Sequence, residues 1–185
     1  MATISIDFFE RLWFGGGTAI ALYLGHRQSI DFDLFSNQPF ENTKIRNMIV
    51  KKGKIEQVIR DEKDQYELIF NQVRLTFLYY PYHISFSKKI SDLKMPELLA
   101  LAAMKAYALG RRAKWKDYVD LYFIMKDHHS MTEITNAAKI IYGHKFSEKF
   151  SVYSLPIMWT STFQKKWFFT RVCRKRQNHK LHFEV

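Results

Sequence analysis

The sequence predicts an α/β (α+β) chain: a mixed sheet with helices, followed by a helical C-terminal half. Three observations predict it. Segments of period-two alternation recur between residues 30 and 80. A glycine run, Gly15 to Gly17, ends an apolar segment and opens a short helix. After Pro96 the pattern becomes Leu- and Ala-rich with helical spacing.

The elements follow in order. Residues 8–16 (FFERLWFGG) read as a short apolar strand running into glycines. Residues 18–25 read as a two-turn helix closed by Gly25. IDFDLF at 30–35 alternates apolar and acidic residues and reads as a strand. Residues 41–52 fit a helix on a polar surface, and 54–60, 66–70 and 73–80 read as strands, with Asn71 and Gln72 as a two-residue turn. Pro81 is expected to stop the sheet. Three helices follow: 97–110 between a proline and a glycine, 115–127, and 133–142 capped by Thr132.

The bulk numbers exclude several classes. With 185 residues, 47% apolar, 16% aromatic and 25% charged, the chain can build a core and is not disordered by composition. The net charge is +11, and residues 151–185 hold 7 Lys+Arg against one acid, Glu184. This excess fits an anionic partner such as a nucleotide or RNA; a basic surface with no such partner fits the charge equally well. The single cysteine, Cys173, excludes an internal disulfide, and no Cys/His cluster has zinc spacing. The N-terminus carries Asp7 and Glu10 and lacks a signal-peptide pattern, and no stretch reaches about 18 apolar residues. A cytoplasmic protein with no membrane span is the expectation.

Two constellations carry chemistry. In the first, Gly16 and Gly17 precede Thr18 at a helix start. Glycines admit a phosphate close to the backbone, the helix N-terminus offers free N–H groups, and Thr18 can add a hydroxyl or cap the helix. A triple glycine by itself is also an ordinary turn. Asp31 and Asp33 stand at i and i+2 on the expected strand, so both carboxylates project from one face while Ile30, Phe32 and Leu34 face the core. Adjacent carboxylates repel unless a cation lies between them, and Mg²⁺ takes one or two carboxylates with phosphate oxygens and water. The plain alternative is a solvent-facing acidic strand. Arg27 precedes this strand and can grip a phosphate or a base, or pair with Asp31; Ser29 can bond the turn, and His26 fits a structural or a functional role.

In the second constellation, Lys105 sits on an otherwise apolar helix, with Arg112 seven residues on and nearly on the same face. Together they make a cationic stripe suited to a triphosphate, or a lysine that snorkels to water. Asp117 and Asp120 lie at i and i+3 on the next helix. They can orient Lys105 or Arg112, one can serve as a base, or both can join the helices by salt bridges.

These residues resemble a known family. GGTAIALYLGHRQSIDFDLF at 16–35 is similar to the first motif of the AbiEii/AbiGii-type nucleotidyltransferases, toxin components of type IV toxin–antitoxin systems. LAAMKAYALGRRAKWKDYVDLYFIM at 101–125 resembles their later lysine and aspartate motifs, and the resemblance spans roughly residues 12–150. It implies a nucleotidyltransferase-fold sheet, Mg²⁺, a nucleoside triphosphate, and transfer of a nucleotide to an acceptor, with tRNA or another RNA as a reasonable one. A cognate antitoxin is the implied partner. Gly16, Gly17 and Thr18 would then hold phosphates, Asp31 and Asp33 would bind metal, and Lys105, Asp117 and Asp120 would supply the later catalytic groups. Arg27 and Arg112 join Lys105 as nucleotide-binding cations.

On this reading residues 1–95 form the α/β core, 96–150 the helical part of the same catalytic domain, and 151–185 an atypical basic tail, either disordered or out of frame. Many such enzymes carry a third carboxylate on a later strand. Here 73–80 offers Thr76 and no acid, so Asp117 or Asp120 is the expected replacement. Two rivals stand beside the enzyme: a catalytically inactive nucleotide- or partner-binding remnant of such a toxin, and a basic RNA-binding module.

Overall fold

A computed structural model describes residues 11–146 apart from Ser91 and Ala113. The expected basic tail at 151–185 and the first three residues of the expected strand at 8–16 lie outside the described residues.

Seven described strands form one mixed sheet. They are β1 (Trp13–Gly15), β2 (Phe32–Ser36), β3 (Ile55–Glu62), β4 (Gln65–Phe70), β5 (Val73–Tyr79), β6 (Phe86–Ile90) and β7 (Leu93–Pro96). The helices are α1 (Gly16–Leu24), α2 (Asn42–Val50), α3 (Leu98–Leu109), α4 (Trp115–Asp127) and α5 (Met131–Tyr142). Strand order is β3-β4-β5-β2-β1-β7-β6. The pairs β2–β5 and β1–β7 are parallel, and the other four are antiparallel. None of the described helices is long and apolar enough to cross a membrane.

The sequence pattern explains most of this. Asn71 and Gln72 both take positive φ, 49° and 62°, which makes the two-residue turn joining β4 to β5. Such a turn matches the right-handed twist of its strands. Gly25 closes α1 in the left-handed region at φ 59°. Trp13 stacks on Phe35 at 4.5 Å between ring centroids, locking β1 to β2. Helix α3 is buried nearly all round, which its alanines permit, and it packs against α1, α4 and α5.

Five expectations need correction. The first strand is confined to Trp13–Gly15, and Arg11 before it is helical. The sheet does not stop at Pro81: the chain crosses to the far edge, where β7 pairs in parallel with β1 and β6 forms the rim. All five residues of β6 are exposed, so no alternation marked it. Its lysines, Lys88 and Lys89, suit an unprotected edge. The strand expected at 30–35 begins only at Phe32. Ile30 precedes the ladder and is 70% exposed, Phe32 is also exposed, and Leu34 alone reaches the core. Finally, Ser130 caps the last helix, not Thr132. Its hydroxyl accepts from the Glu133 backbone N–H while Glu133 accepts from the Ser130 N–H. This reciprocal cap is worth about 1 kcal/mol. The fifth correction concerns Arg112: α3 ends at Leu109, so Arg112 lies in the following loop and shares no helix face with Lys105.

Candidate active site

Two rows of residues cross the sheet side by side. Leu34, Phe77 and Tyr66 are register partners on β2, β5 and β4, and all three are buried in the core. One position along, Asp33, Thr76 and Glu67 are partners in the same order, with Arg60 of β3 beyond Glu67. Period-two geometry turns this second row to the opposite face. All four of its residues line a cavity of about 900 Å³.

Helix α1 enters the cavity through the glycines. Gly16 has φ +69°, and a Cβ there would overlap the Asp33 carboxylate. Glycine is therefore required twice at this position, for backbone conformation and for space. Its neighbour Gly17 packs over a charged cluster: a Cβ would overlap the Arg27 guanidinium and would lie 3.5 Å from Lys105 Nζ. The backbone of the turn thus touches both the carboxylate side and the cationic side of the cavity.

Thr18 does not cap the helix; Gly15 occupies the cap position without a side-chain bond. The Thr18 hydroxyl instead donates to the Asp31 carbonyl and meets Ser29 Oγ at 2.7 Å. It staples the first turn of α1 to the segment that carries Asp31. Asp31 lies just before β2, yet it lines the same cavity as Asp33. Burial raises the Asp33 pKa; Lys105, a hydrogen bond from Thr76, and Arg112 oppose that rise, while the charge of Asp31 adds to it.

No group of three or more His, Cys, Asp or Glu suited to a metal occurs among the described residues. Beside the glycine turn the described residues offer Asp31 and Asp33, too few for an all-protein cage. Two is the number Mg²⁺ takes when phosphate oxygens and water complete its octahedron. The half-buried, desolvated Asp33 beside a like charge is the kind of group a cation relieves.

Opposite the carboxylates stands a buried ion network. Asp120 is fully buried and accepts from His26 Nε2 at 2.7 Å, from Arg27 Nε at 2.7 Å and Nη2 at 3.0 Å, and pairs with Lys105 Nζ at 3.1 Å. Lys105 Nζ also donates to Asp117 Oδ1 at 2.6 Å. Asp117 Oδ2 has no hydrogen-bond partner and sits 3.7 Å from Arg112 Nε. Asp117 lines the cavity, whereas Asp120 lies behind it.

This geometry corrects the expectation that Asp120 could be a base or a third metal carboxylate. Both of its oxygens are taken by cations and donors. Burial alone would raise its pKa, but bonds from His26 and Arg27 and the charges of Lys105 and Arg27 outweigh burial and hold it at about 2. Since the folded-state value lies below the usual 3.8, the stability it contributes is complete above pH 4. That contribution, about 2 kcal/mol, is lost as pH falls from 4 through 2. We expect the Asp120 side-chain carboxyl ¹³C shift to titrate with a midpoint near 2; a midpoint near 4 would contradict the network.

Sequence reasoning missed Glu67, Arg74, Gln65 and Arg60, which form the outer part of the cavity on β3 to β5. Glu67 is 6% exposed and is paired with the Arg74 guanidinium. The signal was present: Gln65 and Glu67 alternate with apolar Tyr66 and Leu68, as the aspartates do in the segment 30–35. On the helical side Tyr80 and Tyr107 line the cavity. Tyr142 of α5 stacks on Tyr107 at 3.9 Å and its hydroxyl meets that of Tyr80. Burial raises the Tyr80 and Tyr142 pKa values, so both stay neutral and serve as a prop between sheet and helices.

Comparison with known proteins fits this arrangement. The family model for the nucleotidyl transferase AbiEii toxin of type IV toxin–antitoxin systems matches residues 3–166. The match runs past residue 150 to Lys166, further into the basic tail than the sequence motifs suggested. The uncharacterized protein aq_aa25 of Aquifex aeolicus (strain VF5) is 30% identical over 132 residues. Those residues are 68% of this chain and 63% of that relative, so the chain spans less than two thirds of its length. Among solved structures, the antibiotic-resistance factor ANT(2'')-Ia in solution superposes with a TM-score of 0.51 at 14% identity, covering 70% of this chain and 80% of that one. The Megavirus polyadenylate synthase gives 0.48 at 16% identity, over 65% of this chain and 29% of that one. The chain has the nucleotidyltransferase fold and belongs to the AbiEii nucleotidyl transferase toxin family.

Proposed function

We propose that the protein transfers a nucleoside monophosphate from a nucleoside triphosphate to an acceptor hydroxyl, with RNA such as tRNA as the acceptor. The observation that carries this reading is the meeting, around one cavity, of the Asp31–Asp33 pair, the glycine turn and the Lys105–Arg27–Arg112 cations. Each is a part that phosphoryl transfer needs.

Asp31 and Asp33 would hold Mg²⁺, which when bound supplies charge neutralisation on the triphosphate. The Gly16–Gly17 backbone and the N-terminus of α1 bind phosphate oxygens. The acceptor hydroxyl gives up its proton to solvent as its oxygen attacks the α-phosphorus, the bond from that phosphorus to the oxygen bridging to the β-phosphate breaks, and pyrophosphate leaves. Lys105, held by Asp117 and Asp120, and Arg112 stabilise the charge that gathers on the leaving group. Arg27, anchored by Asp120, closes the phosphate side. Membership of a type IV toxin family adds a cognate antitoxin as the partner that opposes this activity, in a cytoplasmic setting.

The test is incubation with each of the four α-labelled nucleoside triphosphates, Mg²⁺ and total RNA, followed by a denaturing gel. Label on RNA with one triphosphate, lost on chelation of Mg²⁺, is the expected result. Mg²⁺-dependent triphosphate binding with no transfer to any acceptor would instead identify a non-catalytic nucleotide-binding protein. RNA binding that needs no triphosphate and survives loss of Asp33 would identify an RNA-binding module.

A further inference from the structure

The nucleotide and its leaving group, on the reading above, occupy the side of the cavity bounded by α1, α3 and the loop after α3. That leaves the β3–β5 side of the same cavity without a role. It is not apolar. Arg60, Glu67 and Thr76 run outward from Asp33 in register, one per strand. At about 4.8 Å between strands, the Cα of Glu67 lies roughly 10 Å from that of Asp33 and the Cα of Arg60 roughly 14 Å. Arg74 stands two residues before Thr76, on the same strand face, and lines the same cavity.

Glu67 is the anomaly. A carboxylate this buried needs a strong partner, and it has one in the Arg74 guanidinium, whose own side chain stays 49% exposed. The buried partner fixes one edge of the guanidinium fork through Nε and Nη2. The outer edge remains available to a second anion. Arg60 Nη1 rests 3.0 Å from Glu62 in an exposed pair, an interaction that costs little to exchange. The two arginines therefore make a cationic track away from Asp33, with Arg74 on the strand next to β2 and Arg60 two strands further out.

We infer that Arg60 and Arg74 are an acceptor subsite that binds phosphates of a single nucleic-acid strand whose terminal hydroxyl reaches Asp33, with Glu67 as the positioning residue for Arg74. A track at increasing distance from the reacting atoms suits a polymer with repeated anionic groups, not a small acceptor held at one point. This inference rests on the nucleotidyltransferase reading but is tested without turnover.

The experiment measures equilibrium binding of a labelled single-stranded RNA with a free 3′ hydroxyl by fluorescence anisotropy, across 50–300 mM salt. Wild-type protein is compared with R60Q and with the paired variant E67Q/R74Q. Pairing avoids leaving the Glu67 carboxylate buried alone, and R60Q alters an exposed side chain. Each substitution is expected to weaken RNA binding at least five-fold and to reduce the slope of log K against log salt by about 0.7 per arginine. Triphosphate affinity by calorimetry should stay within two-fold of wild type, and in the transfer assay the acceptor KM should rise with the triphosphate KM unchanged. Unchanged RNA affinity and slope in both variants would overturn the inference, as would a wild-type protein that binds no RNA or labels only a protein acceptor. A protein that binds no triphosphate fails the underlying reading instead, and the calorimetry separates the two failures.

Discussion

Asp33→Asn abolishes labelled-nucleotide transfer, by about 10³-fold or more, while the protein folds as well as before. The size follows from the role proposed for the carboxylate: removing a charge that would hold Mg²⁺ forfeits several kcal/mol of transition-state stabilisation, and each 1.36 kcal/mol is tenfold in rate. The unchanged folding follows from burial. Asp33 is desolvated beside Asp31, and its charge is a cost to the folded protein without a cation. Asparagine keeps the shape and an acceptor for Thr76 and removes that cost, so the thermal midpoint should hold or rise. Transfer assays and a melting curve on one preparation check both halves. Activity within tenfold of wild type would sink the assignment of the carboxylate pair.

Asp120→Ala produces the opposite balance, a loss of stability larger than any direct effect on chemistry. The substitution leaves Arg27, His26 and Lys105 inside the protein without the acceptor that all three share. Breaking a buried ion pair by deleting one partner typically costs about 3–5 kcal/mol. For a domain of this size that is a fall in melting temperature of roughly 10 °C. Asp120→Asn retains shape and one acceptor oxygen and should lose less. A melting temperature within 2 °C of wild type for the alanine variant would show that the network is not what holds α4 to α3 and to the loop after α1.

The two substitutions separate roles that look alike in sequence. Asp31, Asp33, Asp117 and Asp120 are four aspartates in two motifs, and periodicity alone treats each pair as equivalent. The structure distinguishes them by what lies around each. Asp33 faces the cavity with a single hydroxyl donor beside it. Asp117 reaches the cavity with one oxygen still unbonded. Asp120 is enclosed by cations. Burial and the number of donors are tertiary properties, so spacing could not reveal them.

Local signals were legible where local physics decides. The Asn71–Gln72 turn, the Gly25 helix end, and α4 at 115–127 follow from backbone permissiveness and helical spacing within a few residues. The β6–β7 hairpin was illegible because an edge strand exposed on both faces has no period to show. Glu67 and Arg74 were missed for another reason. Their place beside Asp33 depends on which strand neighbours β2, and the parallel β2–β5 pairing across the thirty-six intervening residues is a matter of topology. Ser130 was a plain oversight, since Ser130 and Glu133 spell a capping box in the sequence itself.

The bond from Arg27 to Asp120 joins positions 93 residues apart, and β1 meets β7 only after the chain has crossed the whole sheet. Contacts of such long sequence separation form late, after the loops between them have closed. During synthesis Asp31 and Asp33 emerge early, but the cations that complete the cavity cannot be anchored until α4 has left the ribosome. A chain interrupted before Trp115 thus carries the glycine turn and both site aspartates without an anchored lysine. On the proposed function, transfer waits, by topology, until α4 is in place beside the glycine turn.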